Sequence, residues 1–169
     1  MGFTKTTVSF ALAILATFLL TSAADPAANT FCDTADDKTL CVQMSNNAKT
    51  WDEAMKNTLN AALQKANAGK SIVDGIGSKL PANLQPQTKE SIDKTCRQAY
   101  ENVIDNIHKS MGVVKNDPAS LKTYLSATSF SECTDGLTEF QVPSSEASDL
   151  DKEILKMSGT LLAVADKKP

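Results

Sequence analysis

Residues 88–114 most constrain the fold, because their apolar side chains recur at steps of three and four. This spacing places them on one face of a single long helix. The face comprises Ile92, Cys96, Ala99, Tyr100, Val103, Ile107, Met111 and Val114. Charged residues occupy the opposite side, so the apolar face must be buried against other helices. Cys96 lies on that face and therefore needs a partner from a neighbouring element.

A second helical stripe covers residues 50–80. It begins with a capping box, in which the Thr50 hydroxyl and the Glu53 carboxylate accept hydrogen bonds from backbone N–H groups at the helix start. Three glycines weaken its second half, by about 1 kcal/mol each relative to alanine, and they are Gly69, Gly75 and Gly77. The sequence leaves two interpretations of these glycines open: close packing of a neighbouring helix, or a kink.

Break signals bound the long helix of residues 88–114 on both sides. Residues 81–86 have a proline at each end and form a turn. Thr88 is predicted to cap the helix, which we expect to end near Lys115. Asp117 then starts a further helix, because an acidic N-cap followed by proline at the first helical position is a start signal.

Two more helical segments follow. Residues 118–140 carry apolar side chains at mostly helical spacing, and the hydroxyl-rich residues 128–131 are candidates for a bend. Pro143 breaks this segment, and Ser145 or Ser148 is predicted to cap the last helix. That helix carries on one face Leu150, Ile154, Met157, Leu161, Val164 and Ala165, with Leu155 and Leu162 at the border.

These four long segments have short connections, and no stretch of the chain is typical of a strand. Short connections place consecutive helices antiparallel to each other. One apolar stripe on each helix suits the core of a bundle. We therefore predict an all-α fold, an up-down-up-down four-helix bundle.

Residues 1–24 are predicted to be a cleaved secretory signal peptide. Lys5 supplies the positive n-region, residues 8–20 are almost wholly apolar, and Ser22 and Ala24 form a small-residue cleavage site. A membrane anchor is the alternative, but the apolar core is shorter than the about 20 residues that span a bilayer. We therefore expect secretion, with no membrane segment in the mature protein.

The mature part, residues 25–169, has the length of one domain. A chain of this size can bury about 68% of its unfolded surface. Removing residues 1–24, which contain Lys5 and no acidic residue, changes the formal charge from −3 to −4. An acidic balance argues against nucleic acid and against anionic membranes as partners, since both attract basic surfaces.

All four cysteines lie in the mature part, and an even number in a secreted protein usually forms disulfides. Four cysteines allow three connectivities. Pairing the two neighbours, Cys32 and Cys41, clips two short helical turns together and leaves Cys96 to join Cys133. The small loop contributes about 2.7 kcal/mol in the chain-entropy model. A metal site is disfavoured, because the chain lacks a Cys-x-x-Cys pair and has one histidine.

No set of catalytic residues is visible in the sequence. Ser/His/Asp chemistry would have to use His108, the only histidine, which lies on a helix without a nucleophile beside it. The acidic pairs at 36–37 and 149–151 are typical of helix starts and solvated surface. No glycine-rich phosphate loop is present. We therefore predict neither an enzyme nor a bound cofactor.

The cysteines lie in a set of motifs with characteristic spacing. The motifs are Cys32-x-Thr34-x6-Cys41, Cys96-Arg-Gln-Ala-Tyr100-Glu-Asn-Val103, Tyr124-Leu-Ser-Ala127 and Cys133-Thr-Asp-Gly-Leu137. Each motif alone is weak, but the four spacings together are fairly specific. Over essentially the whole mature part, the chain resembles the plant invertase and pectin methylesterase inhibitor family.

This resemblance implies the disulfides Cys32–Cys41 and Cys96–Cys133, the same pairing that spacing favours. It also implies an N-terminal helical hairpin packed outside the four-helix bundle. The implied activity is non-catalytic: the protein docks on a cell-wall carbohydrate-active enzyme in the apoplast and blocks its substrate cleft. The target is a pectin methylesterase or an invertase.

The connection before the fourth segment distinguishes the two targets. In inhibitors of the invertase branch this turn typically carries an Asp-Pro-Lys-Phe run that enters the invertase active site. The present chain keeps Asp117 and Pro118, but Ala119 and Ser120 stand where the lysine and phenylalanine would be. We predict that these four residues contact the partner, and that the partner is a pectin methylesterase, with a cell-wall or vacuolar invertase as the alternative.

The sequence disfavours two other classes of function. A secreted helical carrier of lipids or small ligands usually has six or eight cysteines around an apolar cavity, whereas this chain has four cysteines and ordinary core stripes. An enzyme is disfavoured by the missing catalytic set. The inhibitor is therefore the preferred interpretation.

Overall fold

The computed structural model describes residues 30–142 and 144–169, so the predicted signal peptide lies outside the described residues. Within them the chain forms a short 3-10 turn, Thr30–Cys32, seven α-helices and no strand. The helices are α1 Lys38–Ser45, α2 Trp51–Ala68, α3 Lys70–Lys79, α4 Pro86–Val113, α5 Pro118–Ser126, α6 Ser131–Glu139 and α7 Ser145–Ala165.

The helices form the predicted up-down-up-down bundle. Its four members are the bent pair α2/α3, the long helix α4, the bent pair α5/α6, and α7. Helix α4 packs against α2/α3 on one side and against α5/α6 on the other, and α7 closes the bundle by packing against both pairs. Helix α1 and the 3-10 turn pack outside it, against α2 and α7.

The apolar stripe of α4 is buried as predicted. Ile92, Cys96, Ala99, Tyr100, Val103 and Ile107 are buried, while Met111 and Val114 at the end of the stripe are half-buried. The predicted start was wrong by three residues, because α4 begins at Pro86 rather than directly after Thr88. Proline has a fixed φ and no N–H group, so it starts a helix without a capping side chain.

Side chains cap α2 and α7 at their first turns. The Glu53 N–H donates to the Thr50 hydroxyl at 3.2 Å, and the Glu53 carboxylate accepts from the Lys49 N–H at 2.9 Å. The cap of α7 is Ser144, whose hydroxyl accepts from the Ala147 N–H at 3.2 Å. The prediction of Ser145 or Ser148 was wrong, because Ser144 has the extended backbone that a capping residue needs, while Ser145 is already helical.

Gly69 both marks a bend and allows close packing of a neighbouring helix, the two roles that the sequence left open. It separates α2 from α3, and a Cβ atom placed on it would lie 2.6 Å from Leu150 Cδ1 of α7. Gly77 marks close packing alone, since its Cβ would lie 2.6 Å from Asp93 Oδ1 of α4. Gly75 meets only ordinary contacts with the Lys79 side chain. The chain therefore bends at one glycine and packs closely at two.

Each bend in a helix pair is held by a hydroxyl from another helix. At the α2/α3 bend, the Ala66 carbonyl accepts from the Tyr100 hydroxyl of α4 at 2.8 Å. At the end of α5, the Leu125 carbonyl accepts from the Ser158 hydroxyl of α7 at 2.8 Å. Each of these carbonyls also accepts a backbone N–H from three residues further on, Gly69 at 2.9 Å and Thr128 at 3.2 Å, so the hydroxyl is a second donor to the same oxygen. A carbonyl oxygen has two lone pairs and can accept both bonds. The two bends are thus stabilised by tertiary contacts.

Replacing Tyr100 with phenylalanine tests this account of the α2/α3 bend. Tyr100 is buried and its ring would stay, so the change removes mainly the hydrogen bond to Ala66. We expect the free energy of unfolding to fall by about 1–2 kcal/mol, measured by urea denaturation. The matched control is Tyr124→Phe at the half-buried second tyrosine, for which we expect a change below about 0.5 kcal/mol. Equal losses in the two variants would contradict the proposed role of the hydroxyl.

Candidate interaction surface

The four predicted contact residues lie in residues 114–120, which comprise the link after α4 and the first turn of α5 and are called the α4–α5 connection below. Asp117 caps α5: its Oδ1 accepts from the Ser120 N–H at 3.0 Å, and its Oδ2 accepts from the Ser120 hydroxyl at 2.6 Å. Pro118 is the first residue of the helix. The Ser120 hydroxyl, followed by the Ser120 N–H, holds the pKa of the Asp117 carboxyl below its ordinary value. The cap therefore stays ionised in mildly acidic solution.

The four predicted contact positions, 117–120, present no anchor residue at the surface. Asp117, Pro118 and Ala119 are exposed, and Ser120 is half-buried. Ala119 presents only a methyl group, and the Ser120 hydroxyl is already bonded to the cap. The connection therefore offers a partner neither a large apolar side chain nor a cation at these positions.

A groove of about 460 Å³ lies between α2 and α4, next to the α4–α5 connection. Leu59, Met111 and Val114 supply its apolar part, and Lys115 joins it to the α4–α5 connection. Charged and polar side chains form the rest of the lining, which comprises Asp52, Glu53, Lys56 and Asn60. The groove and the connection form one continuous surface at this end of the bundle.

A second groove, between α4 and α6, was not foreseen from the sequence. Its α6 side carries the exposed carboxylates of Glu132, Asp135 and Glu139, which have no ion-pair partner among the described residues. Phe140 at its end is 40% exposed. The helical spacing of the three acids was visible in the sequence, but the groove depends on how α6 lies against α4.

The two disulfides tie the outer turn and the bundle separately. Cys32 is joined to Cys41, which links the 3-10 turn to α1. Cys96 is joined to Cys133, which links α4 to α6 across the core. All four residues are buried. Surfaces formed by α4, α5 and α6 are therefore carried by a cross-linked frame.

The described residues contain no arrangement suited to catalysis by the histidine. His108 is exposed on α4, and its imidazole makes no side-chain hydrogen bond to any of those residues. In residues 30–142 and 144–169, no three His, Cys, Asp or Glu side chains are grouped to hold a metal ion. Over the same residues, none of the helices combines the length and apolarity needed to cross a bilayer.

Comparison with known families identifies the fold and the family together. The family model for plant invertase/pectin methylesterase inhibitors matches residues 26–164. The chain belongs to this family. Its members are inhibitors, so the assignment supports an inhibitor role rather than an enzymatic one, and it covers both kinds of target.

A solved structure shows the same fold. The protein is similar to a mutant form of a pectin methylesterase inhibitor from Arabidopsis, with a TM-score of 0.61 and 20% sequence identity. The match covers 83% of this chain and 95% of the other. No curated protein sequence matches the chain. The predicted all-α bundle with its two disulfides and the predicted family are thereby confirmed.

Proposed function

We propose that this member of the family is secreted and inhibits a cell-wall pectin methylesterase by docking on it and covering its substrate cleft. The observation that carries the choice of target is the pair Ala119 and Ser120 on the α4–α5 connection. Secretion is inferred from the predicted signal peptide of residues 1–24. The structurally similar Arabidopsis protein, which is named a pectin methylesterase inhibitor, supports the same target.

The choice rests on what an anchor residue contributes to binding. A buried aromatic side chain or a desolvated cation at the centre of an interface is worth about 2 kcal/mol or more. The lysine and phenylalanine of the invertase branch have these properties, whereas Ala119 and Ser120 have neither. Asp117 and Pro118 carry no information about the target, because they start α5 in any case.

Without an anchor at positions 117–120, binding has to use broader surfaces. Enzyme–inhibitor interfaces bury about 1,600 Å² in total, or about 800 Å² on each partner. The exposed faces of long helices beside the α2–α4 groove and the α4–α6 groove offer surfaces of the required kind. A cross-linked bundle is also pre-organised, so little conformational entropy is lost on docking.

Side-by-side titrations test the proposal directly. Recombinant protein comprising residues 25–169 is titrated into a cell-wall pectin methylesterase and into a cell-wall invertase under the same buffer conditions. We expect nanomolar inhibition of the pectin methylesterase and inhibition of the invertase that is weaker by at least about 100-fold, the equivalent of losing one or two anchors. Nanomolar inhibition of the invertase alone would show that the target is wrong.

Two further assays address the remaining classes of function. Displacement of a fluorescent fatty acid at micromolar protein concentration would favour the lipid carrier. Turnover on a panel of cell-wall glycans would favour an enzyme. We expect neither signal, because the α2–α4 and α4–α6 grooves are open surface features and no nucleophile–base pair accompanies His108 among the described residues.

A further inference from the structure

Lys168 contacts the α4–α5 connection from the tail that follows α7. Its ammonium group donates to the carbonyl oxygens of Val114 and Lys115, both at 3.3 Å. These carbonyls follow the last residue of α4, where a regular helix leaves carbonyl groups without backbone partners. Cations are favoured at helix C-termini because they bond to these carbonyls and oppose the negative end of the helix dipole.

The same ammonium lies over the ring of Trp51 at the start of α2. Its Nζ is 5.0 Å from the centroid of the ring, within the range of a cation–π contact. The ring itself is fixed, because Trp51 is only 7% exposed and its indole N–H donates to the Val164 carbonyl at 2.8 Å. Lys168 therefore joins the start of α2, the end of α4 and the tail of α7.

The connection is thus held from both of its ends. On the α5 side the Asp117 carboxylate bonds to Ser120, and on the α4 side the half-buried Lys168 bonds to Val114 and Lys115. The N–H groups of Asn116 and Asp117 both donate to the Val113 carbonyl, at 3.1 and 3.0 Å. A segment fixed in this way loses little conformational freedom when a partner binds.

We propose that Lys168 is a positioning residue of the inhibitor, which orders the α4–α5 connection for docking. The proposal rests on the proposed function, because it assigns Lys168 a part in the same interaction. Lys168 acts through the connection and through Trp51, and its ammonium is directed toward the protein. Neighbouring tail residues have other partners: Asp166 pairs with Lys122 of α5, and Lys167 lies 4.0 Å from Asp33.

Three variants of the full mature chain distinguish a positioning role of the Lys168 ammonium from a general effect of removing a positive charge. Lys168→Met keeps a side chain of similar length and removes the ammonium. Lys168→Arg keeps the cation, its donors and its stacking on an aromatic ring. Lys167→Met removes the adjacent charge and is the matched control. Each variant is compared with the wild type in three measurements.

The first two measurements need no target enzyme. Trp51 is the only tryptophan in the chain, so the intrinsic fluorescence reports on the ring beneath Lys168. We expect Lys168→Met to change this emission and to speed amide hydrogen exchange at Asn116 and Asp117. Lys168→Arg and Lys167→Met should leave both signals close to those of the wild type.

The third measurement is inhibition of the pectin methylesterase. We expect Lys168→Met to raise the inhibition constant about tenfold, since the connection must then be ordered on binding. We expect Lys168→Arg to restore it to within about threefold, with melting temperatures of all variants within a few degrees of each other. If Lys168 only stabilised the fold, Lys168→Met would lower the melting temperature without raising the inhibition constant.

Three outcomes would overturn the proposal. Unchanged emission and exchange in Lys168→Met would show that the contacts do not order the connection. Changed emission and exchange with an unchanged inhibition constant would show that the connection is ordered but not used in docking. A wild type that does not inhibit pectin methylesterase would refute the proposed function, and with it the docking role of Lys168, while the first two measurements would still report on the contacts.

Discussion

Replacing Cys96 and Cys133 together with alanine is expected to lower the free energy of unfolding by about 3.9 kcal/mol in the chain-entropy model. The disulfide joins residues separated by 37 positions and connects α4 to α6. Removing it frees a long loop in the unfolded chain, which raises the entropy of the unfolded state. We expect the melting temperature to fall by roughly 10–15 °C, measured by calorimetry. Alanine is chosen because both residues are buried, and serine would leave hydroxyl groups in the core.

The matched control is the double replacement of Cys32 and Cys41 with alanine. Their separation is only 9 positions, and the loop lies outside the bundle, so the expected loss is about 2.7 kcal/mol. Equal or inverted losses in the two double variants would contradict this account. Non-reducing peptide mapping gives a separate check, since a peptide joining Cys32 to Cys96 or Cys133 would refute the pairing.

The second large effect is expected on target choice. Changing Ala119→Lys and Ser120→Phe together would supply the cation and the aromatic side chain that positions 119 and 120 lack. We expect inhibition of a cell-wall invertase to improve by roughly 100- to 1,000-fold, since each anchor is worth about 2 kcal/mol and such gains do not add fully. The backbone N–H of residue 120 still donates to Asp117, so α5 keeps part of its cap. Steady-state inhibition assays measure the change.

The control introduces the same two side chains, phenylalanine and lysine, at the other end of α5. Ser126 and Ala127 are exposed, and the variant Ser126→Phe with Ala127→Lys adds an identical aromatic and charge there. We expect this control to leave invertase inhibition unchanged. A similar gain in both variants would indicate non-specific binding. No gain in the first variant would show that the connection does not reach the invertase active site in this protein.

Local signals in the sequence predicted most of the helices correctly. Apolar residues at helical spacing predicted the buried face of α4, from Ile92 to Ile107. Thr50 and Asp117 were recognised as caps because the groups that they bond to lie three residues further on. Such signals succeed because the interacting groups lie within a few residues of each other in the chain. The sequence pattern therefore identifies both partners of the contact.

The bends and some helix starts depended on other parts of the chain. The α2/α3 bend places Gly69 against Leu150 of α7, and the Ala66 carbonyl at the bend accepts from the Tyr100 hydroxyl of α4. Helix α7 is capped by Ser144 rather than by either of the two serines that the sequence favoured, Ser145 and Ser148. Several serines close together can each cap a helix, and only the packing of the helix against the core selects one of them.

The sequence by itself determined the all-α bundle, the family and the position of the α4–α5 connection. Helical periodicity and the spacing of Cys32, Cys41, Cys96 and Cys133 are properties of the chain alone. Only the tertiary structure decided that Lys168 lies over Trp51 and bonds to Val114. Contacts between residues so far apart leave no periodic signal, because they arise from the way that the helices pack and from where their ends meet.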